Sequence, residues 1–254
     1  MAVQLMDRTP LIVGNWKMHK TSAGARDFIS ALRKESFSDA RRIFLAIPFP
    51  SIESAVDAAK GSPICIGAQN MHDQAEGAFT GEVSGRMLKS SGADFVLLGH
   101  SERRQYFSET NAFIHRKLVR ALEEELMPIL CIGELLEERE RGLWQNVLKL
   151  QLEEGLQKIS SEHAIQIIIA YEPVWAIGTG KTATPELAQS VHHFIRTWLD
   201  ESFGRECAQK MLLLYGGSVK PDNIGALMQQ PDIDGVLVGG ASLDVKSFVQ
   251  IVNY

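Results

Sequence analysis

The chain has 254 residues, of which 45% are apolar and 22% charged, and its formal net charge is −5. This composition is typical of a globular protein with a sizeable core and excludes intrinsic disorder. The absence of a basic excess argues against nucleic-acid binding.

Eight short apolar runs recur along the chain, and each is apolar on both faces rather than alternating. They span residues 11–13, 43–47, 64–66, 95–98, 128–132, 165–170, 211–215 and 235–238. Strands that are buried on both faces, as in parallel sheets, have this pattern. We therefore predict eight buried parallel strands.

The segments between these runs carry apolar residues at helical spacing. One stripe consists of Ile114, Leu118, Leu122 and Leu126, and another of Leu187, Val191, Phe194, Ile195 and Trp198. Thr184, Pro185 and Glu186 predict a helix start, as do Ser242 and Asp244 for the last helix.

Parallel strands must be joined by crossover helices. Eight strand–helix units in about 250 residues favour an α/β fold, a closed (β/α)8 barrel, over an open doubly wound sheet. No linker or repeat interrupts the series, so we predict a single domain over residues 1–254. The charged run at 134–141 is interpreted as a solvated helical face.

Polar residues and glycines follow five of the runs, where the predicted strands end. They are Asn15 and Lys17, then His100, Ser101 and Glu102, then Glu172, then Gly216, Gly217 and Ser218, and finally Gly239 and Gly240. In a barrel the carboxyl ends of all strands meet at one face, where active sites lie. The sequence therefore predicts one polar mouth assembled from five distant segments.

Two of these residues have the chemistry for proton transfer. Glu172 ends a strand before Pro173, which cannot continue the ladder, and an enclosed carboxylate there is a candidate general base. His100 precedes a segment that could open a helix, whose positive end favours a neutral imidazole. The alternative for Glu172 is an exposed acid that pairs with a neighbouring charge. The alternative for His100 is a core histidine whose hydrogen bonds are all made within the protein.

The same mouth offers groups for an anion. Lys17 supplies a positive charge, and the glycine turns after the seventh and eighth runs let an anion approach backbone amides. Loops at these two places in barrels frequently bind phosphate. The alternatives are a surface lysine and ordinary tight turns. Metal-ligand spacing is absent from the sequence, so no metal site is predicted.

Several segments together resemble the triosephosphate isomerase family. They are GNWKM at 14–18, GAFTGE at 77–82, LGHSERR at 98–104, CIGE at 131–134, AYEPVWAIGTGK at 170–181, YGGSV at 215–219 and VGGA at 238–241. The resemblance covers nearly the whole chain, and two of the motifs, YEPVWAIGTGK and GHSERR, are highly specific together. It implies a TIM barrel that interconverts dihydroxyacetone phosphate and glyceraldehyde 3-phosphate without a cofactor.

The resemblance also implies catalytic roles. Glu172 would move a proton between neighbouring carbons of the substrate, and neutral His100 would polarise the carbonyl and shuttle protons between the oxygens. Lys17 and Asn15 would stabilise the developing oxyanion and contact the substrate. Glu102 would support the lysine and the histidine.

The family likeness further implies a phosphate site and a packing residue. The phosphate would be bound by Gly178, Ser218, Gly239 and Gly240, with Lys17 close by. Cys131 matches a position behind the base, where packing is the expected role.

Family members are usually dimers, so a homodimer is expected through the loop of residues 69–82, with Thr80 near the partner's site. The expected small-molecule partner is a sugar phosphate. Three cysteines (Cys65, Cys131 and Cys207) lack disulfide or zinc-site spacing and predict reduced thiols in a cytoplasmic protein. Neither a signal peptide nor an apolar run long enough to span a membrane is evident, so no membrane partner is expected.

The same barrel can carry other functions. An isomerase of the same family acting on a four-carbon sugar phosphate could share every named residue. A Schiff-base aldolase would want a lysine at a buried strand end, where the sixth run has Glu172. A catalytically silent binding protein is expected to lose some of Asn15, Lys17, His100 and Glu172, and all four are present.

Overall fold

Parallel strands close into a barrel in the computed structural model, which describes residues 8–38, 41–177 and 182–254. The strands are β1 Leu11–Asn15, β2 Arg42–Ile47, β3 Ile64–Ala68, β4 Phe95–Leu98, β5 Met127–Ile132, β6 Ile168–Tyr171, β7 Leu213–Tyr215 and β8 Gly235–Val238. Their order around the barrel is their order in the chain, and β1 closes the ring by pairing with both β2 and β8. The predicted (β/α)8 fold is confirmed.

Helices connect successive strands and cover the outside of the barrel. In the described residues they are α1 Ser22–Leu32, α2 Ile52–Ala59, α3 Gly85–Ser90, α4 Ser101–Tyr106, α5 Asn111–Glu123, α6 Leu136–Glu140, α7 Trp144–Gly155, α8 Ser161–Ala164, α9 Pro185–Phe203, α10 Arg205–Lys210, α11 Ile224–Met228 and α12 Val245–Val252. Short 3-10 helices span Phe49–Ser51, Val174–Ala176 and Gly240–Leu243. None of the described helices is long and apolar enough to cross a bilayer.

Successive strand residues alternate between two apolar layers. Leu11 and Val13 belong to a cluster inside the barrel, together with Phe95, whereas Ile12 packs in the outer layer with helix residues such as Phe28. Both layers are buried, because helices shield the outer face from water. This arrangement explains why the runs are apolar at every position.

The sixth and seventh strands begin later than their apolar runs. Ile165 caps the end of α8, where its N–H donates to the Ser161 carbonyl, and Ile168 is the first residue that pairs with β5. In the seventh run, Leu213 begins the strand. An apolar run alone does not mark where a helix end gives way to a strand.

The predicted helix signals are mostly confirmed. The Thr184 hydroxyl caps α9 by accepting from the Leu187 N–H. At α12 the cap is Asp244, while the Ser242 hydroxyl donates instead to the Gly239 carbonyl. Leu126 lies beyond α5, which ends at Glu123, but it is buried with the rest of its stripe.

Candidate active site

The carboxyl ends of the strands surround a cavity of about 340 Å³. Its lining includes the predicted residues Asn15, Lys17, His100, Glu172, Ser218, Gly239 and Gly240. These residues come from the ends of five strands, as the sequence predicted. Gly178, the remaining predicted phosphate ligand, lies outside the described residues.

Glu172 follows β6 directly and is only 2% exposed. Its Oε2 accepts a hydrogen bond from the Ser101 backbone N–H at 3.0 Å, and its Oε1 lies 3.2 Å from Nε2 of His100. The carboxylate is therefore shielded from bulk water yet adjoins the cavity. The alternative of an exposed strand-end acid is wrong.

His100 occupies the N-cap of α4, so the predicted helix start is confirmed. Its Nδ1 accepts a hydrogen bond from the Glu102 backbone N–H at 3.2 Å. A ring nitrogen that accepts carries no proton, so the proton of a neutral imidazole in this geometry is on Nε2. That N–H is the donor available on the side of Glu172 and the cavity.

Lys17 adopts an unusual backbone conformation, with φ of 50°. Non-glycine residues rarely adopt this region and persist there when their surroundings hold them. Here the Asn15 side chain accepts from the Lys17 N–H at 3.0 Å, and Nε2 of Gln69 donates to the Lys17 carbonyl at 2.8 Å. The Lys17 ammonium donates to Glu102 Oε1 at 2.6 Å. Two side chains thus fix the lysine backbone and a third orients its charge.

Ser218, Gly239 and Gly240 form another part of the cavity wall. A Cβ atom built on Gly240 would meet open space, and one on Gly239 would lie 3.8 Å from Cε of Lys17. The lysine side chain therefore runs beside the glycine turn. A positive charge next to accessible backbone amides is suited to a phosphate group.

Cys131 and Gly133 pack behind the carboxylate. Burial raises the pKa of the Cys131 thiol well above its usual value, and the neighbouring charge of Glu172 adds to this effect. A Cβ on Gly133 would lie 1.8 Å from the Glu172 carbonyl oxygen, so glycine is required for this close approach. Packing is the role that these contacts indicate for Cys131.

The interpretation of residues 134–141 as a solvated face is confirmed for α6, which has no buried residue, but it is wrong for Glu134. Its residue surface is 0% exposed, and its Oε1 accepts from the Tyr171 hydroxyl at 3.0 Å and from Trp175 Nε1 at 2.9 Å. Arg139 lies 3.4 Å from the same oxygen. Charge patterning missed the burial of Glu134 because two of its partners, Tyr171 and Trp175, come from the end of a different strand.

Sequence reasoning also missed how Gln69 and Ser101 act. The sequence places Gln69 only in the predicted dimer loop, but in the structure it donates to the carbonyls of Lys17 and Ala46. No spacing in the sequence indicates this contact. The Ser101 amide could have been found, because the first N–H groups of a helix lack partners within the helix.

None of the residues 69–82 lines the described cavity, although Gln69 at the start of this loop contacts Lys17. Met71 and Asp73 are buried, and Arg116 binds the Asp73 carboxylate at 2.7 Å. Its tip is open to solvent, with Phe79 45% exposed and Thr80 exposed. The loop is thus anchored at its base and exposed at its tip.

Comparison with known proteins identifies the family of the chain. The family model for triosephosphate isomerase matches residues 10–254. Triosephosphate isomerases of Moorella thermoacetica and Carboxydothermus hydrogenoformans are 52% and 53% identical to the chain, each over 97% of it and over 99% and 98% of their own lengths. That of Solibacter usitatus is 51% identical over 97% of the chain and 100% of its own length. The chain belongs to the triosephosphate isomerase family.

Proposed function

We propose that Glu172 and His100 isomerise a triose phosphate in the mouth cavity. The activity of the family is the interconversion of dihydroxyacetone phosphate and glyceraldehyde 3-phosphate. The observation that carries the proposal is the buried pair itself, with Glu172 Oε1 3.2 Å from His100 Nε2 at the wall of the cavity. A base and a hydrogen-bond donor at this separation can act on adjacent atoms of one small substrate.

Glu172 is the base that removes a proton from the carbon beside the carbonyl and returns it to the neighbouring carbon. His100 donates its Nε2 proton to the carbonyl oxygen and moves protons between the two oxygens of the enediolate. The Nδ1 contact with the Glu102 N–H supports this assignment, because it keeps the donor proton on the reactive side.

Lys17 and Asn15 stabilise the oxyanion that develops on the substrate. A preorganised donor of this kind is typically worth about 3 kcal/mol in the transition state. Glu102 holds the lysine in place through the 2.6 Å ion pair. Ser218, Gly239 and Gly240, together with Gly178, bind the phosphate, whose binding energy orients the substrate.

The chain also acts as a homodimer through residues 69–82, with Thr80 near the partner's site. The exposed Phe79 side chain on an anchored loop supports insertion into a second copy. A Phe79→Glu variant should sediment as a monomer, and an unchanged dimer would remove the loop from the interface.

The three free thiols support a cytoplasmic location. That residues 1–254 form a single domain stays a prediction.

The first experiment compares steady-state turnover of glyceraldehyde 3-phosphate with that of a panel of four-carbon sugar phosphates. We expect the triose kcat/KM to approach the diffusional ceiling of about 10⁸–10⁹ M⁻¹s⁻¹. Weak triose turnover with a better four-carbon substrate would retain the residue roles and reject the triose assignment. No turnover of either class would reject the isomerase mechanism.

Inorganic phosphate provides an independent test of the anion site. Phosphate should inhibit competitively, because it occupies the place of the substrate phosphate beside Lys17 and the glycine turn. Non-competitive inhibition would place the anion site elsewhere.

A further inference from the structure

Arg104 is a partly buried arginine in α4 that does not itself line the cavity. Its Nε donates to the Gly99 carbonyl at 2.8 Å, and another guanidinium nitrogen donates to the Cys131 carbonyl at 3.1 Å. A third contact goes to the side-chain oxygen of Asn111 at the start of α5. One planar group therefore joins the end of β4, the strand β5 and a helix.

Arg104 contacts the backbone on both sides of His100, once through its side chain and once through its own N–H. The Arg104 side chain holds the carbonyl of Gly99, while its own N–H donates to the His100 carbonyl at 3.2 Å. Gly99 has a φ of 72°, and a Cβ there would lie 2.9 Å from Ile114 and 3.1 Å from the guanidinium. Arg104 thus donates to the peptide on each side of the histidine, and the Arg103 N–H donates to the His100 carbonyl as well, at 2.8 Å.

The other end of the guanidinium reaches the neighbourhood of Glu172. Cys131 lies on β5, whose register places it opposite Ala170 of β6, two residues before the carboxylate. Burial lowers the pKa of the Arg104 guanidinium, and nearby Cys131, Glu172 and Glu109 oppose that effect. Arg104 consequently links the strand that presents the histidine to the strand beside the glutamate.

We propose that Arg104 is a positioning residue for the isomerisation, which ties the Gly99 and Cys131 carbonyls together and so sets the placement of His100 relative to Glu172. The inference rests on the proposed function. Lysine cannot replace arginine here, because an ammonium is a point charge and cannot span three acceptors with a fixed planar fork.

The test compares Arg104→Lys with Arg103→Lys in the adjacent residue. Arg103 binds the Glu109 carboxylate at 2.6 Å, and lysine can satisfy that single acceptor. Both variants are assayed for kcat and KM with glyceraldehyde 3-phosphate, for inhibition by inorganic phosphate, and for thermal unfolding. The unaltered chain is assayed alongside, because its inactivity would reject the proposed function rather than this inference.

We expect Arg104→Lys to lower kcat by about tenfold to a hundredfold, since a misplacement of about 1 Å can cost that much. KM and phosphate inhibition should stay unchanged, because the anion groups are untouched, and Arg103→Lys should keep the original kcat. A folded Arg104→Lys enzyme with the original kcat would overturn the proposal. So would parallel changes in KM and phosphate inhibition, which would indicate general disturbance.

A second variant tests the proposal in case Arg104→Lys does not fold. Asn111→Ala removes the side-chain partner of the guanidinium at the start of a helix and leaves the two carbonyl contacts possible. It should lower kcat several-fold without changing KM. If it retains the original kcat when Arg104→Lys is not obtained folded, the proposal fails.

Discussion

The turns after β5 and β6 each bury a glutamate, but the two carboxylates have different surroundings. Glu134 presents one oxygen to Tyr171, Trp175 and Arg139, and it does not line the cavity. Glu172 receives a backbone N–H, approaches His100 and lines the cavity. Burial at a strand end therefore does not identify a base. The distinguishing feature is a carboxylate that adjoins space for a substrate.

The largest effect should follow from substitution of Glu172. Glu172→Gln removes the base and should lower kcat by about 10²–10⁴-fold, the usual contribution of general base catalysis. Glu172→Asp retracts the carboxylate and should cost about 10²-fold. Steady-state kinetics measure both, and circular dichroism checks that the variants fold. Near-original activity in either variant would remove Glu172 from this role.

Lys17→Ala extends the comparison to a cation that faces the cavity. We expect kcat/KM to fall by about 10²–10³-fold, as for the loss of an oxyanion donor. Stability should change by about 1 kcal/mol or less, because the partners of the Lys17–Glu102 pair are 27% and 38% exposed at their side chains. Urea unfolding and kinetics separate the two effects. Equal turnover in the variant would exclude the electrostatic role.

Glu134→Gln should have a smaller effect on turnover. The change replaces the charged acceptor of the Trp175 and Tyr171 hydrogen bonds by a neutral one. The hydrogen bonds to the charge are worth about 1.5 kcal/mol, so kcat should fall by at most about tenfold, when all of that energy acts in the transition state. The measurement is kcat beside that of Glu172→Gln. Losses of equal size would break the distinction between the two carboxylates.

The smallest effect concerns pH and stability. Burial raises the pKa of Glu134 above 4.5, although hydrogen bonds from Trp175 and Tyr171 oppose the shift. Just above pH 4.5 the folded state then binds more protons than the unfolded state, so the free energy of unfolding falls as pH rises through this window. Glu134→Gln has no titrating carboxyl at this position, so its stability relative to the original chain should increase as pH rises.

Urea unfolding of both proteins at several pH values measures this trend. A stability difference that instead grows in favour of the original chain with pH would mean that the hydrogen bonds outweigh burial at Glu134.

The fold could be predicted because each strand is buried on both faces, which leaves a continuous apolar run in the sequence. Strand starts were less predictable: the helix end at Ile165 is as apolar as the strand that follows. The side chains do not mark the boundary between α8 and β6, because that boundary depends on which carbonyl each backbone N–H donates to.

The mouth residues could be predicted from strand ends and motifs, whereas their supporting contacts could not. Gln69 and Lys17 are 52 residues apart, and Glu134 and Trp175 are 41 apart. Such pairs meet only after the barrel closes, and spacing along the chain does not encode them. Arg104 lay within a recognised motif, but its acceptors are backbone carbonyls, which every sequence contains.

The apolar cluster inside the barrel, which includes Phe44, Phe95 and Leu214, gives the mouth cavity a solid floor. At the proposed site, substrate would therefore enter and product would leave through the mouth, on the same side of the molecule. Because an isomerase interconverts two compounds of equal size and charge, one opening can serve both the substrate and the product in either direction of the reaction. An anion lodged there should slow the forward and reverse reactions alike.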